Sequence, residues 1–362
     1  MSDESHRAEN VILYGVLALA FLLLTLRLTP TAPGEFKQPQ LAASGKQVAL
    51  TFGDANSIYY AASTDGGRTF TKPTIVADLP GLMLGRHRGP RIALTRDAIV
   101  ISAVSNQQGD LVAWRSTDAG RTWSRGAAAN HTPKSADEGL HAMVASPDGS
   151  LYAIWLDTPG KGKRLMGARS DDNGATWSRN ILIYQSPDGT ICQCCHPSLA
   201  IGPDGAIHAM WRNALNGDRD MYTAVSRDGG RSFGAASKLG EGSWHLDACP
   251  MDGGGIAVAP NGMRTTIFRR QQEIFLVGEG QQERSLATGK DPAIAATAHG
   301  IFLAWSGPQG LLARVPGNSE PLQLDPDGSF PQLIALPDGT VLAAWEHKGE
   351  IEFQRLNPSP TR

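Results

Sequence analysis

Apolar positions in this chain fall in short alternating runs separated by turn residues, from about residue 39 almost to the end. Alternation of period two over a handful of residues marks half-buried β-strands rather than helices. Seven runs open alike, at Pro39-Gln40-Leu41-Ala42, Pro90-Arg91-Ile92-Ala93, His141-Ala142-Met143-Val144, Pro197-Ser198-Leu199-Ala200, Gly254-Gly255-Ile256-Ala257, Pro292-Ala293-Ile294-Ala295 and Pro331-Gln332-Leu333-Ile334. Several lead into Pro-Asp-Gly or Pro-Asn-Gly, at Pro147-Asp148-Gly149, Pro203-Asp204-Gly205, Pro260-Asn261-Gly262 and Pro337-Asp338-Gly339. Asp-Gly and Asn-Gly adopt left-handed backbone cheaply and are strong hairpin signals. Second strands then end on Trp155, Trp211, Trp305 and Trp345, and third strands follow, as at 58–62, 111–115, 221–225 and 310–315.

A spacing of about 38 to 57 residues between openings suits one four-stranded β unit each, so the pattern predicts an all-β ring, a β-propeller of seven blades in preference to six. The last unit lacks a fourth strand. An open ring would leave an unprotected edge, and a segment near Glu35 to Gln38 is the predicted closing strand.

Residues Val11 to Leu28 break the pattern: they are apolar throughout apart from Thr25 and Arg27. Eighteen residues of helix rise about 27 Å, close to the roughly 30 Å hydrocarbon core of a bilayer. The expected organisation is therefore a tail at 1–10, a transmembrane anchor at 11–28, a linker at 29–38 and a propeller at 39–362. A cleaved signal peptide and a buried core helix are the competing readings; the stretch after the segment, Thr29-Pro30-Thr31-Ala32-Pro33, is a poor cleavage site. The flank before it has no positive excess, so orientation rests on the large β domain, expected in the periplasm or outside the cell.

A formal net charge of -2 over 362 residues gives no reason to expect a nucleic-acid partner. Gly (41) and Pro (23) fit many tight turns.

One phrase recurs at blade spacing directly after a third strand: Ser63-Thr64-Asp65-Gly66-Gly67-Arg68-Thr69-Phe70, Ser116 to Trp123, Ser170 to Trp177 and Ser226 to Phe233. It resembles the Asp-box, or BNR repeat, of sialidases and related β-propellers. The resemblance implies that Asp65, Asp118, Asp172 and Asp228 are structural, each accepting bonds from its own turn on the face opposite the active site. It also implies what a sialidase would need: three arginines on a substrate carboxylate, a tyrosine nucleophile paired with a glutamate, and an acid–base aspartate. The first arginine phrase is replaced here by Phe36-Lys37-Gln38-Pro39. Arg88 and Arg91 lie one blade later, Arg212 and Arg269 follow second strands, and Tyr59, Tyr60 and Tyr184 fall in no evident tyrosine–glutamate pair. A shared fold without its site does not carry the activity.

The cysteines are the feature that the repeat does not explain. All four lie in two successive inter-blade connections, Cys192-Gln193-Cys194-Cys195-His196-Pro197 and Trp244-His245-Leu246-Asp247-Ala248-Cys249-Pro250-Met251. Both connections approach an innermost strand, so they are expected to meet at the channel mouth. Cys249 can bridge Cys192, Cys194 or Cys195 across blades, while Cys194–Cys195 and Cys192–Cys194 bonds are strained. At most one easy bridge leaves two cysteines over. Thiolates beside imidazoles select copper or zinc, with Cys192, Cys194, Cys195, His196, His245 and Cys249 as candidate ligands and Met251 and His141 as outer ones. A redox role through a low-pKa thiolate is the other chemistry.

The same mouth should collect a mixed-charge funnel that includes His87, Arg88, His141, Asp157, Arg212, Asp247, Arg269 and Asp291, suited to a polar small molecule, a glycan or an envelope protein. The sequence thus reads as an exported, membrane-anchored propeller with a Cys/His metal or redox site. The alternatives are a sialidase-like glycoside hydrolase and a protein- or glycan-binding scaffold stapled by disulfides.

Overall fold

The computed structural model describes residues 26–29 and 34–359. They form seven four-stranded sheets, each built from strands adjacent in sequence except the last. Blade 1 comprises Lys37–Ser44, Gln47–Asp54, Ser57–Ser63 and Thr74–Asp78. The inner strands of blades 2 to 7 are Arg91–Leu94, His141–Ala145, Ser198–Ile201, Gly255–Val258, Lys290–Thr297 and Ser329–Ala335. All seven predicted openings are inner strands.

Ring closure differs from expectation. The fourth strand of blade 7 is Leu26–Leu28, which pairs antiparallel with Glu350–Leu356 in the register Leu26↔Phe353, Arg27↔Glu352, Leu28↔Ile351. Lys37 and Gln38 instead begin the inner strand of blade 1, and Phe36 packs against Phe52 and Tyr59. The alternation of Leu26, Arg27 and Leu28 explains the choice: Leu28 is buried in a cluster with Phe353 and Ile351, while Arg27 reaches Glu352. These three residues close the predicted 11–28 anchor in the sequence but belong to the propeller. Residues 1–25, with the rest of that anchor, lie outside the described residues. No helix of the described residues is long and apolar enough to cross a membrane.

The hydrophobic core lies between blades. Val100, Val104 and Leu111 of blade 2 pack with Leu151, Ala153 and Trp155 of blade 3, and similar clusters join the other pairs. Trp155, Trp211, Trp305 and Trp345, which end second strands, are among the largest fully buried side chains. Each contributes on the order of 3 kcal/mol of apolar burial.

The four repeated turns are built alike. In the first, Asp65 Oδ1 accepts from the N–H groups of Arg68 and Thr69, Oδ2 from the Thr69 hydroxyl, and the Ser63 hydroxyl accepts from Gly67 N–H. Asp118, Asp172 and Asp228 repeat the pattern. These bonds to the ionised form hold all four carboxyls below the usual aspartate range. The aromatic that ends the phrase reaches the preceding blade: Phe70 meets Phe353, Trp123 meets Tyr60 and Phe233 meets Tyr152. The turn is thus a clasp between neighbours.

Antiparallel pairing puts the third-to-fourth turns at one end of every blade. The second-to-third loops and the inter-blade connections must then lie at the other end, where the cysteines are.

Candidate functional site at the channel mouth

The inner strands enclose a channel of about 350 Å³ whose wall is largely aliphatic, with His87 and His196 among its lining. Three inner strands carry the same irregularity just before their proline. Gln38, Asp291 and Phe330 have φ of 56°, 52° and 51°, and the register of each strand shifts there. Left-handed backbone at a non-glycine residue costs about 1–3 kcal/mol and must be held by its surroundings. A bulge re-aims side chains, and all three have a partner at the mouth. Gln38 donates to Glu346, Asp291 meets His87, and Phe330 sets its ring edge-on to His87 at 5.2 Å.

His87 comes from the connection at 79–90, where Arg86 and His87 are consecutive left-handed residues with φ of 52° and 66°. Its Nε2 lies 2.8 Å from Asp291 Oδ1, joining blade 2 to blade 6, and both groups are buried. Its ring stacks on His196 of blade 4 at 4.1 Å. His196 has both ring nitrogens occupied: Nδ1 accepts from Gly253 N–H and Nε2 donates to the Gly254 carbonyl. Burial, then the neighbouring His87 and Arg91, push its pKa well below the ordinary value and keep it neutral. His196 is therefore locked as a structural group, with no lone pair left for a metal.

The cysteines lie beside this assembly. Cys194 and Cys249 form a disulfide across the connections to blades 4 and 5, with 6.1 Å between Cα atoms. Cys192 and Cys195 are free and buried, with their sulfurs 2.8 Å apart. The Cys192 sulfur is 3.8 Å from that of Cys194. The backbone N–H of Cys192 donates to the Arg212 carbonyl, which fixes the loop to blade 4. A hydrogen bond from Cys195 lowers the Cys192 thiol to about 7, and burial raises Cys195 well above the ordinary thiol value. Met251, at φ 57°, packs on the three buried sulfurs and takes a contact from Arg86 at 2.7 Å.

The six predicted ligands do not gather as one set. The ligand atoms of Cys192, Cys194 and Cys195 lie within 4.8 Å of one another. His245 projects from the rim, its side chain 77% exposed and paired with Asp218, and Asp247 is exposed beside it. Cys249 joins the group through its bond to Cys194.

The funnel arginines are committed to the protein itself. Arg91 is buried and donates to the carbonyls of His87, Gly89, Pro90 and His141. Arg212 is buried and donates to those of Asp252, Arg219 and Arg269, with Trp244 against its guanidinium. Arg269 donates to the Pro250 carbonyl and faces Asp252, and Arg88 pairs with Glu138. Asp157 accepts from Ser135, Trp155 and Arg164. His141 is buried against Ser102 and lowered to about 3 by burial and by Arg91. Three guanidiniums free to clamp one carboxylate are not found among the described residues. Tyr60 is buried in the core of blade 1, Tyr59 packs half-buried against Phe36 and Phe52, and Tyr184 bonds Asn213.

Sequence reasoning passed over Asp252 and Phe330, and placed Glu346 only among the polar loop groups of the mouth. Asp252 is the knot of the site: its carboxylate accepts from the N–H groups of Gly254 and Asp291 and faces Arg269. The glycine run after it was the available signal, since Gly253 and Gly254 bring backbone against His196 and a side chain at either would collide.

The BNR repeat-like domain family model matches residues 41–187 and 98–341. This chain belongs to that family. No curated protein sequence matches it. Among solved structures, this BNR repeat-like propeller is similar to an ulvan lyase, a polysaccharide lyase, at TM-score 0.60 and 11% identity over 92% of this chain and 96% of that one. It is similar to virginiamycin B lyase from Staphylococcus aureus, in an inactive variant with quinupristin, at 0.57 and 15% over 92% and 100%. The intramolecular trans-sialidase of Ruminococcus gnavus follows at 0.52 and 14% over 89% and 94%. At these identities the likeness is one of fold.

Proposed function

We propose that this BNR repeat-like propeller carries a thiol redox centre at one mouth of its channel, with Cys192 and Cys195 as the working dithiol. The carrying observation is the 2.8 Å approach of two buried free sulfurs beside the Cys194–Cys249 bridge. Cys192 and Cys195 stand three apart in sequence, a spacing that closes readily into a disulfide when two electrons and two protons leave. A bridge between blades 4 and 5 belongs to an oxidising compartment, which supports a propeller outside the cytoplasm, held by the apolar residues 11–25 that precede its closing strand. Alkylation of the native full chain, with mapping before and after mild oxidation, tests this. Two labelled cysteines should become none, with a new Cys192–Cys195 bond.

A soft metal is the second reading, favoured by the three sulfurs within 4.8 Å of one another. With the bridge reduced, Cys192, Cys194 and Cys195 form a thiolate set that copper(I) or zinc selects; metal analysis of the reduced protein tests it. The lyase and trans-sialidase likenesses support a glycan as an alternative ligand of the mouth. Against sialidase-type hydrolysis stands the engagement of Arg91 and Arg212 with backbone carbonyls.

A further inference from the structure

We infer that the four cysteines form a relay in which the exposed Cys249 exchanges with an external dithiol and the bridge passes inward to Cys192 and Cys195. This rests on the redox reading and adds its route and its partner. Exposure falls steadily along the sulfur path: Cys249 is exposed, Cys194 is 6% exposed, Cys192 2% and Cys195 1%. The contacts follow the same order, from the Cys194–Cys249 bond to the 3.8 Å and then the 2.8 Å sulfur approaches. The buried pair, at 2% and 1% exposure, offers an external reagent little access, whereas Cys249 is open to it.

The internal step is an isomerisation that needs no outside oxidant. Cys192, having lost its proton, attacks the Cys194 sulfur; a strained, short-lived Cys192–Cys194 bond forms, the Cys194–Cys249 bond breaks, and Cys249 leaves as a thiolate that takes up a proton. Cys195, deprotonated in turn, attacks the Cys192 sulfur; a Cys192–Cys195 bond forms, and Cys194 leaves and is protonated. One disulfide and two thiols stand at the start and at the end. The freed Cys249 and Cys194 then meet a partner disulfide. Cys249 attacks one partner sulfur and the other leaves as a thiol; Cys194 resolves the mixed disulfide, restoring Cys194–Cys249 and releasing the partner as a dithiol. The protein finishes with two disulfides, and a dithiol partner reverses the sequence.

The exchanging chemistry is a pair of thiols on one molecule. A monothiol bound to Cys249 leaves the Cys194 thiolate beside the new bond, and return is faster than onward reaction. A second thiol on the same reagent removes it.

The experiment uses the full chain, with dithiothreitol as the dithiol probe and glutathione as the monothiol. Thiols are trapped by alkylation over time and the bridges mapped by mass spectrometry. Without any reductant, a fraction of wild type should carry Cys192–Cys195 with Cys194 and Cys249 labelled; Cys192→Ser, which keeps the blade bridge, should label Cys249 about tenfold more slowly. A slight molar excess of dithiothreitol should open the wild-type protein completely, while glutathione stalls as an adduct on Cys249. In Cys249→Ser, oxidation of Cys192 and Cys195 by oxidised glutathione should fall about tenfold. Unchanged oxidation in that variant, with a cooperative melt showing that it is folded, overturns the relay and leaves the redox centre standing. Failure of Cys192 and Cys195 to join under any mild oxidant overturns both. Equal opening by monothiol and dithiol overturns the choice of partner.

Discussion

The two ends of this propeller are built by opposite rules. At the Asp-box end each carboxylate bonds groups within four residues of itself, as Asp65 does with Arg68 and Thr69, and the same turn recurs in four blades. At the mouth the bonds that join different blades are long-range and occur once: His87 to Asp291 spans 204 residues, and His196 to Gly254 spans 58. The repeated end makes neighbouring blades compatible. The unrepeated end spends left-handed backbone at Gln38, Arg86, His87, Asp291 and Phe330 to place particular side chains. In a repeat protein, departures from the repeat are where a site is to be sought.

Opening the bridge at the mouth should be the largest single perturbation. Cys194 and Cys249 close a loop of 55 residues, and losing that constraint in Cys194→Ser should cost about 4 kcal/mol in denaturant unfolding. Asp291→Ala comes next: it leaves buried His87 without its carboxylate and should cost about 2 kcal/mol. It should also change the rate at which Cys192 is alkylated, since His87 stacks on His196, which directly follows Cys195 in the chain.

Acid should separate the ends in a third way. His141 is lowered to about 3 in the folded protein, against about 6.5 when unfolded. Below pH 6.5 the unfolded chain binds the extra proton, so stability is complete above that pH and is lost as pH falls toward 3. The slope is about 1.4 kcal/mol per pH unit for each such histidine, and His196 adds in the same sense. His141→Gln should remove one proton from that slope in pH-dependent melts. The smallest effect belongs to the repeated end. Asp172→Ala, which loses the bonds from Ser170 and Thr176, should cost about 1 kcal/mol and leave thiol labelling as in wild type.

Much of this fold can be read along the chain, because Asp-Gly turns, Ser-x-Asp phrases and strand openings act locally and repeat. Ring closure is not local. Leu26 and Leu28 look the same whether they end an apolar helix or alternate into a sheet, and only pairing with Ile351 and Phe353 decides. At the mouth, the meeting of two cysteine-bearing connections follows from blade order. The choice of Cys194 over Cys192 and Cys195 as partner of Cys249 depends on how the loop turns after its bridge at Ile191↔Asn213. His196 reads as a ligand from its neighbours in sequence, yet Gly253 and Gly254 of the next blade occupy both its nitrogens. The arginines fail as substrate clamps for the same reason, since backbone carbonyls are invisible to residue patterns.

The central claim, a working dithiol beside the bridge between blades 4 and 5, is tested most directly by titrating the full chain through buffers of rising dithiothreitol ratio and counting alkylated cysteines by mass. The account predicts two separable two-electron steps, with Cys192 and Cys195 converting as one pair and Cys194 and Cys249 as the other. A single step in which Cys192 and Cys195 stay thiols at every potential would contradict it.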